Sequence, residues 1–139
     1  MISSEVQSGG AGSKGLRVLV VEDNEDAAET LRMLLEVWGH EIALAHTGPA
    51  AIAEAARFRP HVVLCDLGLP EMDGLTVARF LRRDPGTAQA FLVALSGFGD
   101  DGDVQRARQA GFDLHLTKPV EPKELQQLLT RQRVAADGS

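Results

Sequence analysis

The sequence predicts a doubly wound α/β domain built on one parallel sheet. Three observations carry that expectation. Short apolar runs alternate along the chain with segments of helical period. One run, Val62-Val63-Leu64-Cys65, is apolar at every position, as in strands covered on both faces. About five strand–helix units succeed one another without an internal repeat, and such alternation gives a parallel sheet with right-handed crossovers.

Each element has its own signal. Leu16 to Val21 is an apolar, β-branched run of strand length. Ala27, Leu31, Leu34, Leu35 and Trp38 recur at helical spacing, and Gly39 follows as a C-cap. Ile42 and Leu44 alternate in a short second strand. Pro49 fits the first turn of a second helix, which must stop before Pro60. The third strand ends at Asp66, and Leu75, Ala78 and Leu81 mark a third helix ending near Asp84-Pro85. Phe91 to Leu95 is the fourth strand, ending at Ser96. A Gly-rich loop follows, then a polar helix closed by Gly111. Phe112 to Leu116 is the last strand, and a final helix opens near Pro122 and continues through Leu125, Leu128 and Leu129. The expected strand order is 2-1-3-4-5, as in flavodoxin-like folds. That order belongs to the fold class and is not dictated by any residue named here. Residues 1–15, polar and rich in Gly and Ser, are expected to form a flexible leader; 16–134 form the domain and 135–139 a tail.

Composition narrows the function. A chain of 139 residues fits one domain, and at this size roughly 70% of the unfolded surface is buried, so no disulfide or metal staple is needed. The lone cysteine, Cys65, reads as a buried core thiol and points to a cytoplasmic home. No apolar run is long enough to span a membrane, and the amino terminus lacks the apolar core of a signal peptide. A net charge of −6 and 4% aromatic residues argue against direct nucleic-acid binding.

In open parallel sheets, ligands bind beyond the carboxyl ends of the strands. Polar residues fall there. The first strand ends in Glu22-Asp23, the third in Asp66, the fourth in Ser96, and Thr117-Lys118-Pro119 follows the fifth. Three clustered acids repel one another and call for a cation. With only oxygen ligands at these ends, the cation should be hard: Mg²⁺, or else Mn²⁺. Asp66 can act as a nucleophile through an aspartyl phosphate. Phosphoryl transfer then needs its equatorial oxygens neutralised. The cation, the Lys118 ammonium and the Ser96 hydroxyl can each serve one.

The segments Val20-Val21-Glu22-Asp23-Asn24, Leu64-Cys65-Asp66-Leu67-Gly68-Leu69-Pro70-Glu71-Met72-Asp73-Gly74, Ala94-Leu95-Ser96-Gly97 and Leu116-Thr117-Lys118-Pro119 resemble the receiver domains of bacterial response regulators. The likeness covers about 16–134. It implies direct metal ligation by Asp23, a water-mediated role for Glu22, and a further ligand in the backbone carbonyl of Gly68. It implies that Ser96 moves to the phosphoryl group, that Lys118 pairs with it, and that the Lys118-Pro119 bond is cis. The phosphoryl donor it implies is the phosphohistidine of a histidine kinase or a histidine phosphotransfer domain. The downstream partner would dock on the face of the fourth helix, fifth strand and fifth helix, about Asp103 to Val134. A domain of this kind is a phosphoacceptor that catalyses only its own phosphotransfer and dephosphorylation.

Two departures stand out. Family members usually carry Tyr or Phe three residues before the lysine, as a switch coupled to the Ser or Thr. This chain has His115, whose imidazole can still swing and titrates near neutrality. The positions that often tune dephosphorylation hold Gly68 and Phe98, and Phe98 is expected to shield the site. The loop 68–74 and the Gly/Ser-rich leader resemble receivers at the end of hybrid histidine kinases.

Other readings compete. Alone, Glu22 and Asp23 would be helix-start acids suited to a positive dipole end. Asp66 and Ser96 would be turn residues, and Lys118 a solvated lysine. His40, His46 and His61 read as surface or loop residues, and Trp38 as core packing. A haloacid dehalogenase-type phosphatase would place its nucleophile first in the chain with a second Asp two residues on; here the acidic pair precedes Asp66, and Gly68 holds that position. A flavodoxin-like cofactor binder would need a phosphate cradle where this chain has Glu22-Asp23-Asn24-Glu25-Asp26. A degenerate receiver serving only as a protein-binding module is opposed by the full set of site residues.

Overall fold

A computed structural model describes residues 15–97 and 101–138. Residues 1–14 of the expected leader, and Phe98, lie outside the described residues. Five strands alternate with five helices: β1 (Arg17–Val21), α1 (Glu25–Val37), β2 (Glu41–Ala45), α2 (Gly48–Phe58), β3 (Val62–Asp66), α3 (Gly74–Arg83), β4 (Phe91–Ser96), α4 (Asp101–Ala110), β5 (Leu114–Thr117) and α5 (Pro122–Gly138). All pairings are parallel, in the order β2-β1-β3-β4-β5. This is the flavodoxin-like order expected. Helix α5 continues to Gly138, into the segment expected as a tail.

The two faces of the sheet follow from the two-residue period of a strand. Leu19, Val21, Val63, Cys65, Leu92 and Ala94 pack against α2, α3 and α4. Val18, Val20, Val62, Leu64, Val93 and Leu95 pack against α1 and α5. Alternate residues therefore feed two separate cores, so a one-residue slip would exchange both sets. Cys65 is fully buried, and burial pushes its thiol pKa up, beyond use as a nucleophile at neutral pH.

The helix ends are set by side chains and glycines. The side chains of Asn24, Thr47 and Asp73 accept from the backbone N–H groups of Ala27, Ala50 and Thr76 at the starts of α1, α2 and α3. Helix α1 closes with Gly39 N–H to Glu36 O and His40 N–H to Leu35 O, and Gly39 takes φ +94°. Helix α4 closes the same way, with Gly111 N–H to Arg108 O and Phe112 N–H to Ala107 O. Both are Schellman closures, with a glycine at the left-handed position. This closure corrects one boundary. Phe112 was expected to open the last strand, but its N–H is taken by α4 and its ring is buried against that helix. Strand β5 accordingly begins at Leu114.

His40 and His61 lie in loops, as one of the two expected alternatives had it, yet both rings hold structural partners. His40 is buried and its Nδ1 accepts the Leu16 N–H at 3.0 Å; His61 Nδ1 accepts the Arg17 N–H at 2.9 Å. Two rings thus satisfy consecutive amides at the entry to β1. An accepting Nδ1 must be unprotonated. Burial lowers both pKa values, with Arg133 adding to the effect at His40 and Arg17 at His61.

The sign of the pH effect follows. The unfolded histidines take up protons below about pH 6.5, whereas the folded ones resist. Stability is full above that value and falls as pH drops through it towards the lowered folded values. Urea midpoints should decline between pH 7.5 and 5.5, beyond the change in a His40→Asn/His61→Asn variant, which keeps an acceptor but does not titrate. Equal declines in the two proteins would remove the histidines as the cause.

Candidate phosphoacceptor site

The carboxyl ends of β1, β3 and β5 bring four charged side chains together. Glu22 and Asp66 are buried, at 3% and 9% exposure, while Asp23 is exposed. Carboxylate oxygens of Glu22, Asp23 and Asp66 all lie within 4.8 Å of one another. Lys118 Nζ donates to Glu22 Oε1 and to Asp66 Oδ2, each at 2.8 Å. Burial works against the Lys118 ammonium, but its bonds and charge pairing with Asp66 and Glu22 outweigh this and raise its pKa. The lysine therefore stays charged. It follows β5 on a cis Lys118-Pro119 peptide bond, and its N–H donates to Ser96 O at 2.7 Å.

Local backbone holds each acid in place. Asp66 Oδ1 accepts the Gly68 N–H at 2.9 Å, and Glu22 Oε2 accepts the Asn24 N–H at 3.1 Å. His46 Nδ1 donates to the Glu22 carbonyl at 2.9 Å. This contact gives His46 a part in the site that its sequence context did not signal. Gly74 was not singled out either. A Cβ there would come within 2.6 Å of the Asp66 carbonyl oxygen and 2.9 Å of Leu67 Cα. Only glycine lets α3 start this close to the end of β3. Gly68 is different: a Cβ there would meet only Asp66 Oδ1, at an ordinary 3.7 Å.

Ser96 and His115 lie on the neighbouring strands. Ser96 is 8% exposed, His115 is half-buried, and Ser96 Oγ is 2.8 Å from His115 Nε2. The strand ends thus bring Glu22, Asp23, Asp66 and Lys118 into one cluster, with the Ser96–His115 pair on β4 and β5 beside it.

The donor set fits a hard divalent cation. It offers oxygen alone, carries three negative charges against one ammonium, and has one exposed edge at Asp23. A separate cavity of about 830 Å³ opens at the opposite end of the sheet, lined in part by Arg17, Arg59, Arg82 and Arg108. Arg17 Nε there donates to the Phe58 and Arg59 carbonyls, and Arg82 to those of Ala88, Ala90 and Gly111. Arg17 thus serves the carboxyl end of α2, and Arg82 the turn before β4 and the loop after α4; the acids Glu22, Asp23 and Asp66 are absent from that end.

A doubly wound sheet with a carboxylate cluster and a lysine at its strand ends defines a class of signalling domain that carries a phosphoryl group on aspartate. This chain belongs to the response regulator receiver domain family, which matches residues 18–130. It is a receiver of two-component signalling, a phosphoacceptor module and not an enzyme in the usual sense. Such domains interact with histidine kinases and with downstream partners. The chain is 35% identical over 103 residues to the polar-differentiation response regulator DivK of Brucella anthropi, covering 74% of this chain and 84% of that one. It superposes on the receiver domain of the sensor histidine kinase PA1611 from Pseudomonas aeruginosa with a TM-score of 0.79 and 31% identity, covering 86% of this chain and 98% of that one. That structure holds a magnesium ion in its active-site cleft. A putative response regulator from Chloroflexus aurantiacus gives a TM-score of 0.81 at 30% identity, covering 87% and 99%. Among the described residues, no helix is long and apolar enough to cross a membrane.

Removing the Lys118 ammonium leaves Glu22 and Asp66 buried and uncompensated. Lys118→Met should lower stability in chelator by about 1–2 kcal/mol, less than for a fully buried pair because the lysine is part-exposed. Adding Mg²⁺ should restore much of the loss, as read by urea denaturation. No loss in chelator would show that the ammonium does not hold the acids together.

Proposed function

We propose that Asp66 accepts a phosphoryl group from the phosphohistidine of a histidine kinase or a histidine phosphotransfer domain. The observation that carries this reading is the pairing of Asp66 Oδ2 with Lys118 Nζ at 2.8 Å inside the three-carboxylate cluster. An Asp66 oxygen attacks phosphorus, the new O–P bond forms as the N–P bond breaks, and the imidazole leaves with its electron pair. Lys118 follows the negative charge from the carboxylate to a phosphoryl oxygen. The Ser96 hydroxyl donates to another. Asp23, Asp66 and the Gly68 carbonyl would hold Mg²⁺ (Mn²⁺ being the substitute), with Glu22 acting through water. When bound, the cation would neutralise the acids and a third phosphoryl oxygen.

Water then hydrolyses the aspartyl phosphate, a step the domain catalyses on itself. The phosphorylated form switches the domain's affinity for a partner docking on α4, β5 and α5, with Ser96 and His115 as the switch pair and no direct contact to nucleic acid. The reaction belongs in the cytoplasm, where kinase and metal are available. The similarity to the PA1611 receiver supports reading the chain as the receiver of a hybrid kinase.

Incubation with Mg²⁺ and acetyl phosphate should give one phosphoryl adduct by intact mass. Asp66→Asn or a chelator should abolish it. A folded wild-type protein that takes no adduct, and does not bind a non-hydrolysable phosphoryl mimic either, would favour a degenerate binding module.

Asp23→Asn should weaken Mg²⁺ binding at least tenfold, roughly the loss expected when a ligand shell is impaired. Calorimetric titration reads this directly, and unchanged affinity would take Asp23 out of the ligand set.

A further inference from the structure

The close pairing of Ser96 with His115 follows from sheet register. His115 is registered with Ala94, and Ser96 shares a face with Ala94, two residues on. The two side chains are diagonal neighbours on the face covered by α4. Ser96 Oγ and His115 Nε2 are 2.8 Å apart. His115 borders a small cleft with Val104 and Arg108 of α4.

A hydroxyl carries one proton, and a phosphoryl oxygen only accepts. If Nε2 is bare, the Ser96 proton goes to the ring and is withheld from the phosphoryl group. If Nε2 carries hydrogen, the ring donates to Oγ and the Ser96 O–H can turn to Asp66. The two arrangements exclude each other.

We propose that His115 is a positioning residue: by donating from Nε2 to Ser96 Oγ, it directs the Ser96 hydroxyl proton onto the phosphoryl group carried by Asp66. This rests on the phosphoacceptor reading above and adds to it. The ring keeps its contact with Ser96 and does not need to swing. Phosphorylation then fixes which ring nitrogen of His115 bears hydrogen, on the side of the sheet facing α4. A phenylalanine at this position could pack but could not donate.

The test is a double-mutant cycle on the initial rate of adduct formation with acetyl phosphate and Mg²⁺. His115→Phe should slow the reaction about tenfold, the scale of one net hydrogen bond. His115→Gln, which places an amide N–H near Nε2, should recover to within about threefold of wild type. In a Ser96→Ala background, His115→Phe should have no further effect. The proposal is overturned if His115→Phe matches wild type, or if it loses the same factor without Ser96. An adduct on Asp66→Asn would instead sink the phosphoacceptor reading itself. A second measurement needs no variant: ring ¹⁵N shifts of wild-type His115 with beryllium fluoride and Mg²⁺ bound. A protonated Nε2 in that complex is expected, and a bare Nε2 overturns the proposal even if His115→Phe fails to fold.

Discussion

The Lys118 ammonium is the constraint on which the arrangement of this site depends. It bridges Glu22 at the end of β1 and Asp66 at the end of β3, though it follows β5. Burying two like charges side by side is unfavourable unless a cation is held between them. The chain supplies one by bringing the loop after its last strand over strands that precede it by dozens of residues. The parallel pairing of β5 with β4, and of β4 with β3, fixes that loop at the height of Asp66. Sheet order and site charge are therefore two views of one requirement.

The same geometry explains why the site sits at a strand edge and not in a deep pocket. Parallel strands end together, and the helices that follow begin with unsatisfied N–H groups. Asn24 and Asp73 fill that need at α1 and α3, one directly after Asp23 and the other directly before Gly74. The capping residues and the acidic cluster thus share one end of the sheet. Within the cluster, Gly68 N–H and Asn24 N–H take one oxygen each from Asp66 and Glu22, leaving the second oxygens to Lys118. Each buried acid is held from two directions, which limits its orientation before any phosphoryl group arrives.

Much of this was legible in the sequence. Apolar runs ending in Glu22-Asp23, Asp66 and Ser96 gave both the strands and the place of the chemistry, because a buried strand must be apolar until it leaves the sheet. What escaped were residues whose roles depend on distant loops. His40, His46 and His61 read as surface or loop residues, and loops are where they lie, but nothing near them in sequence says what they face. Their partners, Leu16, Glu22 and Arg17, lie 24 to 44 residues away. Phe112 misled for a different reason: an apolar residue beside a strand reads as strand, although its amide belongs to the helix before it. Gly74 carried no signal of its own beyond its place in the motif, and only the close approach of α3 to Asp66 shows why it must lack a side chain. The contact between Ser96 and His115 was hidden in the register of β4 and β5, which no local pattern states.

One consequence concerns where this chain tolerates alteration. The loops after α1, β2 and α2 look like ordinary connections, the kind usually chosen for tags, inserts or new termini. Each carries a ring on which β1 rests: His40 and His61 at its entry, His46 at its exit. Lengthening any of them would loosen the strand that delivers Glu22 and Asp23, which lies second in the sheet. The turn at Asp84-Pro85-Gly86 carries no such ring and is the better place to cut or graft.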